Sequence, residues 1–240
     1  MDTRTLQAIP IGRVASLTPV VEARSNVPDA VRVPARTVLF AAGLVTAGTG
    51  VAALLRADLG TGPGDVMIGA MAAQIGVSHG TAAQALATAF IIVAMLLGRR
   101  PGPGTIATAA LLGPIINVAL AVLPFPGSFA ARVAFAAIGM IAMGVGVGVA
   151  IGARFGPSTG ELWADAVAAR LGADKQTVRL SLEATLVVLG IALGGPVGIV
   201  TLVIGFTIGP LIDLGTRIAR QVSGASARQW ERSVLRFSRF

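Results

Sequence analysis

The chain has 240 residues, 54% of them hydrophobic and only 12% charged, with a mean hydropathy of +0.81. Soluble domains carry about a quarter charged residues, so an ordinary soluble fold is excluded. Zero cysteines and one histidine leave no disulfide, thiolate metal site, cysteine nucleophile or histidine cluster, and neither cofactor nor metal is expected. The net charge of +8 sits on arginines of the tails and helix-end loops, which fits the positive-inside bias of membrane chains better than nucleic-acid binding.

Residues 1–35 open with Asp2, lack an apolar run of signal length and are interrupted by Pro10, Pro19, Pro28 and Pro34. They read as a flexible cytoplasmic tail. A hydrocarbon core about 30 Å thick takes roughly 20 apolar residues per helix. Uncharged windows of that order run over 37–55, 80–98, 101–131, 133–153 and 184–212. The first and fourth span once; the third and fifth each have room for a helix and a turn.

Shifted by 96 residues, the segment 36–117 matches 132–213 without a gap, pairing Gly43/Gly139, Gly60/Gly156, Gly64/Gly160, Gly76/Gly172, Gly98/Gly194, Thr105/Thr201 and Gly113-Pro114/Gly209-Pro210. The helix breakers keep register throughout, which points to two homologous membrane repeats, 36–123 and 132–217. Each repeat reads as a long helix (near 36–56 and 132–153), a Gly/Pro turn and a short helix (64–75 and 160–171). Two more helices follow, near 79–98 and 104–123, and near 176–194 and 198–217.

The short helix decides the topology. If it crosses the bilayer the repeats are parallel; if it dips in and returns they are inverted. In the re-entrant arrangement with an inside N-terminus, Arg99, Arg100, Arg154, Arg170, Lys175 and Arg179 face the cytoplasm and only Arg56 and Arg132 face out. The crossing arrangement shows no such bias, so the inverted one is preferred. The expected fold is all-α: a polytopic helical membrane protein with six spanning helices and two re-entrant half-helices. It belongs in a bacterial inner (cell) membrane, multi-pass, with both termini cytoplasmic. Stripes such as Gly144, Gly148 and Gly152 serve close helix packing.

The first turn, Gly60-Thr-Gly-Pro-Gly-Asp-Val-Met67, and the second, Gly156-Pro-Ser-Thr-Gly-Glu-Leu-Trp163, are where chemistry is expected. The amides at the start of a half-helix lack intrahelical partners and face its positive dipole end, so they bind an anion or a capping carboxylate. Asp65 and Glu161 either cap their own helices or line a cavity where the two turns meet near the midplane, and the two readings are compatible. Candidate substrate-binding residues are Thr61, Gly62, Gly64 and Asp65 in the first turn, with Ser158, Thr159, Gly160 and Glu161 in the second. Asp165, Arg179 and Glu183, which correspond to Gly69, Ala83 and Ala87, are candidates for a gate or coupling site. A structural Arg179/Glu183 pair is the other reading, because a charge at that depth needs a partner. His79 falls in a polar turn and reads as solvated; Asp213 with Arg217 reads as a surface pair. Trp163 reads as an apolar wedge or interface anchor.

The last segment, 218–240, follows Arg217 with Arg220, Arg228, Arg232, Arg236 and Arg239, and carries Trp230, Val234 and Phe237 at helical spacing. It reads as a basic amphipathic cytoplasmic tail lying on anionic lipid headgroups.

Leu59-Gly-Thr-Gly-Pro-Gly-Asp-Val66, Arg100-Pro-Gly-Pro-Gly-Thr105, Arg179-x-x-x-Glu183, Gly194-Gly-Pro-Val-Gly198 and Ile208-Gly-Pro210 resemble the YczE/YitT-type family of uncharacterised bacterial membrane proteins. The resemblance covers 36–217 and implies an integral membrane protein without naming a substrate. No phosphate loop of the Gly-x-x-x-x-Gly-Lys-Ser/Thr form is present, so energy would come from an ion gradient or a partner ATPase. The favoured function is a non-enzymatic transporter or channel for a small organic anion or zwitterion, with proton coupling through Glu161 and Glu183. The alternative is a non-transporting membrane scaffold or regulatory subunit. Beyond the bilayer and the solute the sequence names no partner; a homo-oligomer stays open.

Overall fold

A computed structural model describes residues 29–223. The basic tail expected at 224–240 and the first 28 residues lie outside the described residues. All eight described elements are helices: α1 Asp29–Ala57, α2 Pro63–Ile75, α3 His79–Leu96, α4 Pro103–Val122, α5 Phe129–Gly152, α6 Thr159–Leu171, α7 Lys175–Ala192 and α8 Ile199–Ser223. The helix α1 therefore begins inside the segment expected as tail, and α8 runs six residues past the expected end of the second repeat at 217.

Local chemistry sets these boundaries. Pro63 and Pro103 occupy first-turn positions, where a missing N–H costs nothing. Ser78, Ser128, Ser158 and Asp174 cap the following helices by accepting a backbone N–H. The short helices stop at Gly76 and Gly172, whose φ of 69° and 65° glycine adopts freely. Helices α2, α3 and α4 start at 63, 79 and 103, while α6, α7 and α8 start at 159, 175 and 199, in each case 96 residues later. The positive-φ positions keep the same offset, with Asp58 and Arg154 among them as well as Gly60/Gly156 and Gly98/Gly194.

Among the described residues, five helices are long and apolar enough to cross a membrane: 36–57, 79–96, 103–122, 129–152 and 199–222. The chain is thus a multi-pass integral membrane protein, with five such helices where the sequence predicts six. The difference is α7, which carries Lys175, Arg179 and Glu183 within its 18 residues.

The helices α1 and α5 form the central pair, and they are antiparallel. Arg36 at one end donates from Nε to the Ala153 carbonyl at 3.0 Å, and Arg132 at the other donates to the Ala57 carbonyl at 2.7 Å. Glycines let the two backbones touch: a Cβ on Gly43 would sit 2.6 Å from the Ala150 amide nitrogen, and one on Gly50 2.7 Å from the Gly139 oxygen. Alongside α1 lies α4, with Gly48 against Ile115 and Leu112; alongside α5 lies α8, where Thr216 donates to the Gly148 carbonyl at 3.2 Å. Val51, Leu54, Ile116, Met143 and Ile204 form the core of this four-helix layer.

The other four helices close a ring in the order α2, α3, α6, α7, with α2 and α6 on one diagonal and α3 and α7 on the other. The ring joins the first layer chiefly where α3 packs on α4. There Gly80 donates to Asn117 Oδ1 at 3.0 Å, and Gln84 donates to the Ala110 carbonyl at 2.9 Å. That carbonyl is the one that Pro114, lacking an N–H, cannot satisfy. The counterparts α7 and α8 make no such approach.

Candidate functional site

The two broken turns do not come together. The segment 36–57 is 22 residues long, about 33 Å at 1.5 Å per residue. The first turn follows its far end, beside Arg132; the second follows the end of α5, beside Arg36. The residues from Thr61 to Glu161, expected to share one midplane site, therefore lie in two groups at opposite ends of the α1/α5 pair. Antiparallel helices place their C-terminal turns at opposite ends of the pair.

Each turn docks instead on the first residues of a long helix from the other half. Val200 donates to the Leu59 carbonyl at 3.2 Å, and Gly104 donates to the Phe155 carbonyl at 2.8 Å. Thr201 Oγ1 accepts from the Thr61 amide at 3.2 Å; Thr105 Oγ1 donates to the Pro157 carbonyl at 2.6 Å. The four residues of each pair of contacts are related by the same offset of 96. Close approach requires glycine here. A Cβ on Gly60 would lie 2.7 Å from Thr201 Oγ1, and one on Gly104 2.6 Å from the Phe155 side chain.

At the Arg132 end, Thr61 is buried at 3% exposure and its hydroxyl donates to the Pro196 carbonyl at 3.3 Å. It ties the turn to the α7–α8 loop. Gly62 caps α2 with its backbone alone, and the Asp65 carboxylate lies over it. His79 Nε2 reaches Asp65 Oδ1 at 3.4 Å, with the imidazole only 9% exposed. This corrects the solvated reading of His79: the fold-back of α3 against α2 turns it inward. Its partnership with Asp65 is invisible in sequence, because it depends on how α2 packs against α3.

At the Arg36 end, the Ser158 hydroxyl accepts from the Glu161 amide at 3.3 Å, so it is engaged as the helix cap, and Thr159 opens α6. Arg179 Nη1 lies 3.5 Å from Glu161 Oε1, and Arg179 Nε 3.1 Å from Glu183 Oε1. One guanidinium bridges two carboxylates. Asp165 is not part of that triad; its partner is Arg99, at 3.2 Å, from the end of α3. Beside it Trp163 packs on Phe90, with ring centroids 5.9 Å apart. Gly64 and Gly160, equivalent positions in the first turns of α2 and α6, both face open space. Outside the spans, the Arg154 guanidinium is held below its usual range by burial and by the nearby charges of Arg36 and Arg220.

The ring helices thus carry Asp65, Glu161, Asp165 and Glu183, with Arg179 on α7 and Arg99 just after α3; His79 on α3 adds an imidazole. Three carboxylates meet two guanidiniums at the Arg36 end and Asp65 meets only His79 at the other, an arrangement that leaves acceptor capacity for a cation or an ammonium group. In the other layer α1 is uncharged over 37–55, α4 over 103–122 and α5 over 133–152, whereas α8 carries Asp213, Arg217 and Arg220. Among the described residues Asp213 and Arg217 form no ion pair within 4.0 Å, contrary to the expected surface pair. Sequence reasoning missed His79, Arg99, Thr105 and Thr201 as site neighbours. The 96-residue match already pairs Thr105 with Thr201, which was the available signal for those two.

Comparison with known proteins gives a family and no activity. The model described as Family of unknown function (DUF6198) matches residues 34–217. An uncharacterized protein of Haemophilus influenzae is 26% identical over 175 residues, covering 73% of this chain and 79% of that one. Neither match carries the YczE/YitT-type name. No solved structure matches.

Proposed function

We propose, from the premise that this chain belongs to the DUF6198 family, that it is a transporter or channel for a small organic solute. In this reading the halves are inverted repeats, α2 and α6 are re-entrant half-helices entering from opposite faces, and the Arg36 end is cytoplasmic. The 96-residue offset of helix starts and the antiparallel central pair support the inversion. The gathering of Arg36, Arg154 and Arg220 at one end supports the orientation.

The observation that carries the transport reading is the matched construction of the two ends. Each has a half-helix start with open space at its second residue, a first-turn carboxylate, and a cationic or titratable partner on the next helix: Asp65 with His79, Glu161 with Arg179. Two equivalent polar gates on opposite sides of one ring are what alternating access needs. The carboxylate excess favours a zwitterion over a simple organic anion, the ammonium taken by a carboxylate and the anionic group by free helix-start amides. Proton coupling through Glu161 and Glu183 works by exchange: protonating either one releases its hold on Arg179.

The test is uptake of a labelled zwitterion panel into proteoliposomes at imposed pH gradients. The reading expects saturable flux that falls at least tenfold with Asp65→Ala plus Glu161→Ala. Undiminished flux in that double variant removes the site, and absence of flux for the whole panel removes transport of zwitterions.

A further inference from the structure

In the first half, α4 is covered by α3. Gly113 is buried against Gly80, and Asn117 accepts from the Gly80 amide. The equivalent face of α8 is bare. Gly209, the counterpart of Gly113, is exposed with nothing within 4 Å of a Cβ placed on it, and Gly205 one turn earlier is equally open. The reason is visible in α7, where Gln176 stands at the position of Gly80. In α3 a Cβ on Gly80 would lie 2.5 Å from Asn117 Oδ1, so a glutamine there forbids the same crossing. Leu180 likewise replaces Gln84, which removes the side chain that bonds the backbone of α4.

The uncovered face of α8 is broad, taking in Val203, Leu214 and Ile218, and along it runs the stripe Leu202, Gly205, Phe206, Gly209, Asp213 and Arg217. Leu202 is 67% and Phe206 85% exposed. Asp213 lies within the apolar helical segment 199–222, and among the described residues neither it nor Arg217 has an ion-pair partner. A carboxylate in such a helix requires a partner. The stripe is self-complementary across a two-fold axis normal to the membrane. Gly205 and Gly209 admit a second backbone, as small residues four apart do, and Phe206 of one copy fills the hollow over Gly209 of the other. Asp213 and Arg217, one turn apart, exchange charges with their counterparts. We infer that α8 is the dimerisation helix and that its open face is covered by α8 of a second copy of this chain. This rests on the 96-residue correspondence and is independent of transport.

The cysteine-free chain makes a clean test. In native membranes, oxidation should crosslink Phe206→Cys and Gly209→Cys into dimers, and should leave Ile106→Cys and Val188→Cys, exposed on α4 and α7, as monomers. In nanodiscs of neutral lipid, mass measurement should show a dimer. Asp213→Arg or Arg217→Asp alone should lower its dimerisation constant about tenfold, one polar contact's worth, and the double exchange should restore it. A monomeric mass for the parent chain, crosslinking equal at all four positions, or crosslinking only to a different protein each overturns the proposal. So does a double exchange no better than either single change, provided the variants elute as folded species.

Discussion

Replacing Gly50 by alanine tests whether the central pair is held at backbone contact. The added Cβ would lie 2.7 Å from the Gly139 oxygen and 2.8 Å from Met143 Cα, both backbone atoms that cannot rotate away. Ordinary contact begins at 3.4 Å, so the helices must part locally by more than 0.7 Å, the difference between 3.4 and 2.7 Å, because the Met143 amide nitrogen lies closer still. A gap of about 0.5–1 Å forfeits roughly a quarter to a half of each atom pair's attraction. The neighbouring contacts of Gly43 with Ala150 and Gly146 with Ala47 open together. Overpacking of this kind costs about 1–3 kcal/mol. At about 2–4 °C per kcal/mol for a chain of this size, the melting temperature in detergent should fall by about 2–12 °C. Gly160→Ala is the control, because a Cβ there meets nothing within 4 Å, and alanine's better helix propensity should leave stability equal or slightly raised. Thermal unfolding of the two variants side by side decides. Equal melting temperatures would refute the argument that α1 and α5 pack through glycine.

Three further outcomes follow from the contacts. Thr201→Val strips an acceptor from the buried Thr61 amide and from Gly198; an unmet buried donor costs about 1–3 kcal/mol, and protease should cut faster within the 58–62 turn. Gln84→Leu leaves the Ala110 carbonyl beside Pro114 unpaired and should cost about 0.6 kcal/mol, the average interhelical bond in a membrane; a melting shift above about 8 °C would mean that Gln84 does something else. If the Arg36 end is cytoplasmic, Gly127→Cys should react with an impermeant maleimide from outside intact cells, and Arg100→Cys only after lysis. The reverse pattern inverts the orientation.

Much of the fold was legible because breakers are read locally. Gly76, Gly172, Gly98 and Gly194 end helices where a positive φ is required, and a residue needs no neighbours to reveal that. The reach of α1 back to Asp29 was not legible, because Pro34 reads in sequence as a breaker and yet lies inside the helix. Nor was the separation of the two turns. Their likeness suggests a shared site, whereas their distance is set by the direction of α5 relative to α1, which Arg36 and Arg132 fix through carbonyls 117 and 75 residues away. Within the candidate site, Arg179 with Glu183 was readable as one helical turn. Arg99 with Asp165 joins the two halves, and no spacing rule announces it.

The docking of each turn on a helix start from the opposite half bears on how the chain is made. When the ribosome has delivered residues up to Val122, the Leu59 carbonyl and the Thr61 amide still await Val200 and Thr201. The first half inserts as an unfinished object, and its last polar groups are met only as α8 emerges. Synthesised as two polypeptides, the halves should therefore accumulate only when made together, each acting as the other's chaperone.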